Sequence, residues 1–545
     1  QAVLSLLLPL AILAPRESIA QSAVDRVDPV RIERDSIPKP AKPDVPQVTL
    51  EAAAPAGVAS LGQSIEIGAV TFSGLHELTP ADFAQAITPY LGRSISPAEL
   101  SALTTSIAEV ARAKGLIFAS ASVAPQRLTA GILTVHVDEG MIDEVRLSGS
   151  SNPAVVRTLN PLVGRAGRMA EVERLLLIAG DIDGITLYRK RYLREGKRGI
   201  LSVDILEKPQ RLRAVLDNDS TSPVGPVQLR LDMDIAGVLA ADDSISVTYV
   251  TTPLQPDELQ YTRVRYSKRI GDDGTEISVG GSVSSTKPGA YLEALQLRGT
   301  SWSANISVLK PLQRSRVSSL WFQSRFEIRD SEQTRRGRSF RNDRFAALRV
   351  SLLGNRKMLG GTLRVNATLS QGFNLFDATS IGDPLASRRD ADATFTSLVS
   401  WADFTAPLGH GFSARVAAQS QISSQPLLVS EELGLGGSGF LRGYDYSERS
   451  GDEGASGLVE LRYDWLRPFG LIRKAQIYGF IDGGRVVQLA NGRGGGDLFS
   501  GGGGVRADLS RTIDANFEVA VPLSEARYET GNHDPRINLR LLKVF

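Results

Sequence analysis

No cysteine occurs anywhere in the 545 residues. That excludes disulfide scaffolds, thiolate metal sites and cysteine nucleophiles, and it suits an envelope protein that avoids oxidative cross-linking. Histidine is almost as scarce. His76, His136, His410 and His533 show no metal-ligand spacing such as H-E-x-x-H, so no metal site is expected, and His76 and His136 read as structural. No G-x-S-x-G elbow is present, which removes the serine-hydrolase reading. The stretch "GRGGGDLFSGGGG" lacks the Lys-Ser/Thr and the βαβ context of a phosphate loop, and reads as a flexible loop leading into a strand. Neither sign of charge is in excess: 62 Lys and Arg stand against 60 Asp and Glu, so no nucleic-acid partner is implied. A mean hydropathy of −0.08 excludes a helical membrane bundle. The expectation is a protein without catalytic residues or cofactor, not an enzyme.

What is present begins with "QAVLSLLLPLAILAPRESIA" (1–20). Its apolar run is too short to span a bilayer as a helix, and Ser18-Ile19-Ala20 forms a small-x-small cleavage site. Residues 1–20 read as a signal peptide without its initiator Met and basic n-region. Residues 21–63 read as a linker by their Pro and Ala content; "SAVDRVDPVRIERD" is a short helix candidate broken by Pro29.

A compact α+β pattern follows over 64–139. "IEIGAVTFSG" reads as a strand, "TPADFAQAITPYLG" and "SPAELSALTTSIAEVARAKG" as capped helices with Pro in the first turn and Gly at the stop, and "IFASASV" and "GILTVHVDEG" as strands. The order then recurs over 140–209. The phrases "VTFSG" and "VRLSG", "ITPYLGR" and "LNPLVGR", and "GILTVHVDEG" and "GILSVDILEK" correspond, so these are two tandem copies of one unit.

From 210 to 545 no helix-length pattern returns. Segments of about ten residues alternate with period two between turn residues. In "TLRVNATLSQG", Leu363, Val365, Ala367 and Leu369 face one way and Arg364, Asn366, Thr368 and Ser370 the other. A soluble sandwich would alternate too, but the region is too long for one. At roughly twenty residues per strand and connection it holds about sixteen antiparallel strands, as a transmembrane barrel that satisfies every backbone group by closure. The strand-like end on Phe545 fits a C-terminal barrel signal. "RDSEQTRRGRSFRNDR" (329–344) reads as a basic solvated loop or turn, with lipopolysaccharide phosphates as an additional contact.

From about residue 64 onward the chain resembles the two-partner secretion transporters of Gram-negative outer membranes, the hemolysin-activator and filamentous-hemagglutinin transporter family within the BamA-related superfamily. "VTFSGLHELTPADF", "ITPYLGRSISPAELSAL" and "APQRLTAGILTVHVDEGMIDEVRLSG" resemble that family's first POTRA domain, "IAGDIDGITL" and "YLREGKRGILSVDILEK" its second, and "LDNDSTSPVGPVQL" its first barrel strand. The "PQ" before "GILTVHVDEG" is the most family-specific phrase.

"FLRGYDYSERSGDEG" carries Leu441, Arg442, Gly443 and Tyr444, similar to the family's R-G-F/Y motif on a loop folded back into the lumen. "YGFIDGGRV" carries Gly479, Phe480 and Asp482, similar to its G-F-x-D motif on an inward-facing strand. The resemblance implies an Arg442–Asp482 pair, gripped bidentately, with Gly443 allowing a tight turn. It also implies a plug helix, here residues 21–36. The implied function is secretion of an unfolded, β-helical exoprotein bearing an N-terminal secretion domain. The implied partners are that exoprotein, outer-membrane lipid and lipopolysaccharide, and the barrel assembly machinery during biogenesis. The POTRA domains would lie in the periplasm. The alternative is an outer-membrane assembly factor of the BamA class; a passive porin is disfavoured by the POTRA phrases.

Overall fold

The computed structural model describes residues 64–545 except Lys197 and Leu471. The readings of 1–20 as a signal peptide and of 21–63 as a linker with a plug helix at 21–36 fall outside the described residues.

The first unit folds around the helix Pro97–Ala113. Ser96 accepts from the Glu99 N–H while the Glu99 carboxylate accepts from the Ser96 N–H (2.8 Å), closing a capping box, and Gly115 turns out at φ +98°. Its stripe Leu100, Leu103, Thr104, Ile107, Ala108 and Ala111 is buried against Leu133, Val135 and Val137 of the strand Ile132–Asp138. That strand is central, parallel to Ala69–Ser73 and antiparallel to Ser120–Ser122. The second unit repeats this topology: Arg198–Glu207 lies between the parallel Glu144–Ser148 and the antiparallel Ile185–Glu195, under the helices Pro153–Leu159 and Met169–Gly180. Phe118 of the first unit enters the core of the second and stacks on Tyr192 at 4.1 Å.

Two expectations change here. "IEIGAVTFSG" is two strands: Ile65–Ile67 pairs with Arg93–Ile95, and after Gly68 the chain joins the main sheet. "TPADFAQAITPYLG" is not one helix but a 3-10 turn, a four-residue α turn and a second 3-10 turn over Thr88–Tyr90. Pro89 has no N–H to continue an α-helix, and Thr88 instead bonds the Ala84 carbonyl through its hydroxyl at 2.7 Å. The matching site in the second unit, Pro161, ends its helix the same way.

The "PQ" phrase has a physical role. Where Ser120–Ser122 ends, the Gln126 amide donates to the Thr134 carbonyl (2.8 Å) and accepts from the Thr134 N–H (2.9 Å), standing in for a strand.

Residues 210–544 form a closed antiparallel barrel of 16 strands in sequential order, sealed between Gln210–Asp217 and Arg536–Val544. Its polarity is inverted. Val459, Leu461, Ile481, Phe517, Ile537 and Leu539 are exposed on the outer wall, while hydroxyl pairs such as Ser278–Ser307 (2.8 Å) and Ser351–Thr368 (2.8 Å) line the inside. The basic run 329–344 is no loop. It is the tip of two long strands, Ser318–Arg335 and Arg338–Met358, turned by Arg336 (φ 51°) and Gly337 (φ 75°), both in the left-handed region that this two-residue hairpin turn uses.

The second unit is clamped to the barrel. Arg314 grips the Asp181 carboxylate through Nη2 (2.6 Å) and Nε (2.8 Å), Arg316 pairs with Glu173 (2.9 Å), and Arg157 with Asp242 (2.5 Å). Arg269 donates to the carbonyls of Ile178 and Asp181, adding a cationic cap at the end of the helix Met169–Gly180.

Candidate functional site

The longest connection of the barrel, 424–452, joins the strands Phe412–Ser423 and Glu453–Leu466 at the mouth opposite the N-terminal units. It does not stand in solvent. Leu427, Leu428, Leu435, Leu441 and Tyr444 are fully buried. A short ribbon, Leu433–Leu435 with Arg449–Gly451, forms the neck of the fold-back. Leu441 takes the left-handed conformation (φ 59°), and the Tyr444 N–H closes the turn onto its carbonyl at 3.0 Å.

This turn aims Arg442 at the wall of the lumen, where it is 4% exposed. Its backbone N–H donates to Asp482 Oδ2 (3.2 Å) and its Nε to the same oxygen (3.4 Å). Nη1 makes the shorter contacts, with Glu518 Oε2 at 2.9 Å and Glu460 Oε2 at 3.0 Å. The guanidinium carbon lies 3.3 Å from the centre of the Phe480 ring, a cation–π contact in a desolvated place. The grip on Asp482 is therefore not bidentate. Arg442 is shared among three carboxylates on three strands, and Asp482 is also bonded by the Ser500 hydroxyl.

Glu460 and Glu518 escape a motif-based reading. Glu460 binds Arg506 (2.8 Å) and Arg462 (2.6 Å) as well, and Glu518 accepts from the Tyr478 hydroxyl (2.9 Å) and from Asn538 (3.1 Å). The available signal was an acid at an inward position of an alternating strand, in "GLVELRYDW" and in "DANFEVAVPL". Three arginines and three carboxylates balance in charge, which is what a buried polar network needs to be stable.

The glycine after Arg442 serves packing rather than turning: its φ is not positive, and a Cβ there would lie 2.8 Å from Ser500 Cβ and the Val521 carbonyl carbon. The glycine-rich strand Gly496–Asp508 has a similar cause, since a Cβ at Gly504 would meet the Tyr478 hydroxyl at 2.6 Å. Tyr444 reaches the last connection of the barrel, 523–535, its hydroxyl 3.0 Å from Ser524 Oγ, and its carbonyl accepts from Arg536 Nη1 (2.9 Å). Arg536 also donates to the Asp219 carbonyl across the barrel seam (2.6 Å). Beside it, the Asn218 amide from "LDNDSTSPVGPVQL" donates to the Ile537 carbonyl (2.8 Å) and accepts from the Leu539 N–H (2.7 Å), extending the seam past the last strand pair. Gly479 lies beside Phe480 and faces the lipid side, in register with Leu461. Phe545 lies far from this site at the opposite mouth; it is exposed, and its N–H bonds the Leu212 carbonyl at 2.9 Å. Among the described residues no group of His, Asp and Glu is arranged to hold a metal. His136 only bonds Ser73, at 3.2 Å.

Comparison with known proteins fits this geometry. The sequence model described as haemolysin secretion/activation protein ShlB/FhaC/HecB matches residues 203–507, and that of the ShlB-type POTRA domain matches 65–140. The chain belongs to the ShlB/FhaC/HecB family. Relatives in this family's range include the outer membrane transporter CdiB of Escherichia coli, 23% identical over 96% of this chain and 89% of that protein. The heme/hemopexin transporter protein HuxB of Haemophilus influenzae is 22% identical over 69% of this chain and 68% of that protein. Among solved structures, CdiB from Escherichia coli superposes with a TM-score of 0.70 at 17% identity, covering 96% of this chain and 99% of that one. BamA from Haemophilus ducreyi lacking POTRA domains 1–3 reaches 0.53 at 12% identity, covering 89% and 100%. The ShlB/FhaC/HecB match favours a two-partner secretion transporter over the BamA-type assembly factor. Members of the family are outer-membrane barrel transporters of secreted proteins rather than enzymes.

Proposed function

We propose that this transporter receives an unfolded exoprotein in the periplasm through residues 64–139 and a second POTRA domain, 140–209, and passes it through the barrel 210–545. The observation that carries the reading is the connection 424–452, folded into the lumen and held there by Arg442. A pore that only diffuses solutes needs no such loop at the centre of a charge network, whereas a conduit that must stay shut between cargoes does. Cargo docks by strand addition. The Gln126 amide blocks the central strand on one side, which leaves Ala69–Ser73 as the longer free edge of the first sheet. Leu441, Arg442, Gly443 and Tyr444 act with Phe480 and Asp482 as the anchor, and Phe545 as the signal read by the barrel assembly machinery. The arginine-rich tip around Arg336 and Arg338 meets lipopolysaccharide phosphates.

Deleting residues 64–139 is expected to abolish export of the cognate exoprotein while the barrel still reaches the outer membrane in heat-modifiable form. Normal secretion by the deleted protein would overturn the receptor assignment.

A further inference from the structure

Another buried arginine lies at the outer mouth, away from the Arg442 network. The connection 374–395, between the strands Gly361–Phe373 and Thr396–Gly409, carries Arg388, which is 8% exposed. Its Nη1 reaches Asp452 Oδ1 (2.7 Å), Gln488 Oε1 (2.7 Å) and Glu432 Oε1 (3.2 Å), and its Nη2 the Leu489 carbonyl (3.0 Å) and Asp390 Oδ2 (3.3 Å). One side chain thus ties three separate connections together: 374–395, the lumenal 424–452, and the one after Val487. Asp452, with no exposed surface, is the counterpart. Its carboxylate also accepts from the Leu427 N–H and the Leu489 N–H, both at 2.7 Å. Beside this centre the Val429 N–H donates to the Ser387 hydroxyl (3.1 Å), and Ala378, Ala391 and Phe395 pack on Leu427 and Leu428.

The chemistry distinguishes this arrangement from simple packing. An apolar seal that is parted exposes its surface to water with no compensation. Charges that are parted regain hydration, so a buried ion pair is tight when dry yet costs far less to open once water enters. Arg388 also holds the 424–452 loop at its two ends, near Leu427 and Asp452, whereas Arg442 holds it at its tip. We propose that Arg388 is a second positioning residue of the transport pathway, a clasp that closes the connection 374–395 over the outer mouth and must part when cargo passes. This rests on the transport reading above.

The test uses the full-length protein in planar bilayers with potassium chloride as the only permeant. Arg388→Ala is expected to raise the fraction of time in the conducting state by about tenfold or more, because the buried Asp452 carboxylate loses its counter-charge. Arg388→Lys, which keeps the charge but not the fork of donors, is expected to fall between it and the parent. Parent-like openings in Arg388→Ala overturn the clasp. A second arm covers failure of that variant to assemble. The chain has no cysteine, so Ser387→Cys with Val429→Cys introduces a single disulfide pair between the two connections. Its oxidation should remove the spontaneous openings and stop secretion, and reduction should restore both. Complete cross-linking with unchanged openings and secretion overturns the proposal. A chain that gates as stated but exports nothing would instead sink the transport reading and leave the clasp standing.

Discussion

The two N-terminal units and the barrel use the same period-two alternation with opposite sense. In the strand Ile132–Asp138 the side chains turned inward are Leu133, Val135 and Val137, and those turned out are Thr134 and His136. In the strand Lys474–Val487 the outward residues are Ile477 and Ile481, and the inward ones are Tyr478, Phe480 and Asp482. What decides the sense is the solvent on each side. Water surrounds the first sheet, so burial of apolar surface drives its packing. Lipid faces the second, so its specificity comes from hydrogen-bonded and ionic groups gathered in the lumen. The conformational control proposed for this molecule accordingly rests on buried charges, Arg442 and Arg388, rather than on apolar contacts.

Substitutions that exchange the two logics measure the difference. Leu103→Ala, in the fully buried stripe of the first unit, should destabilise that unit by about 2–5 kcal/mol. Urea unfolding followed by proteolysis should show early loss of the N-terminal segment while the barrel persists. Ile481→Arg puts a charge on the lipid face near the middle of its strand, an expected cost of about 2–4 kcal/mol. It should lower the temperature at which the barrel loses its compact gel mobility; an unchanged temperature would mean that this wall does not face lipid. Ser278→Ala, which breaks one hydroxyl pair in the lumen, should cost only about 0.5–1.5 kcal/mol and leave secretion intact.

At neutral pH no effect is expected from the last of these contrasts, which shows only in alkali. Burial, with the Asp143 carboxylate nearby, pushes the Tyr192 hydroxyl up from 10.0 to about 12. The folded unit therefore favours the neutral phenol more than the unfolded chain does. That stabilisation is complete below pH 10 and is lost as pH rises through about 12. Tyr192→Phe should flatten the loss between pH 10 and 12 in the same proteolysis assay. An equal loss in both proteins would assign the alkaline sensitivity to another group.

Much of this was legible in the sequence because alternation, caps and turn residues act locally. Ser96-Pro97 and Gly115 mark the helix of the first unit, and "TLRVNATLSQG" shows which face of a barrel strand is apolar. Pro89 and Pro161 misled by looking like helix interiors; each breaks its helix into 3-10 turns. The run 329–344 looked like a loop because a charged hairpin tip has loop composition, and only the pairing of Arg335 with Arg338 makes it a strand end. The motifs brought Arg442 and Asp482 to notice, but not Glu460, Glu518 or Arg388. Those residues matter through closure of the barrel, which brings side chains from distant strands and loops to one point and leaves no local trace.

The most direct test is a double-mutant cycle on secreted exoprotein, with surface levels of the barrel checked in each variant. Arg442→Ala should reduce export more than Asp482→Ala, since the guanidinium serves three carboxylates and Asp482 keeps the Ser500 hydroxyl. Each single change should still cost about tenfold or more, because Arg442→Ala leaves buried carboxylates short of their cation and Asp482→Ala removes the acceptor that fixes the Arg442 backbone and Nε. The double variant should be no worse than Arg442→Ala alone, the second change removing a charge already orphaned. Strictly additive losses, or full export by either single variant, would contradict the claim that the lumenal loop is anchored by this network.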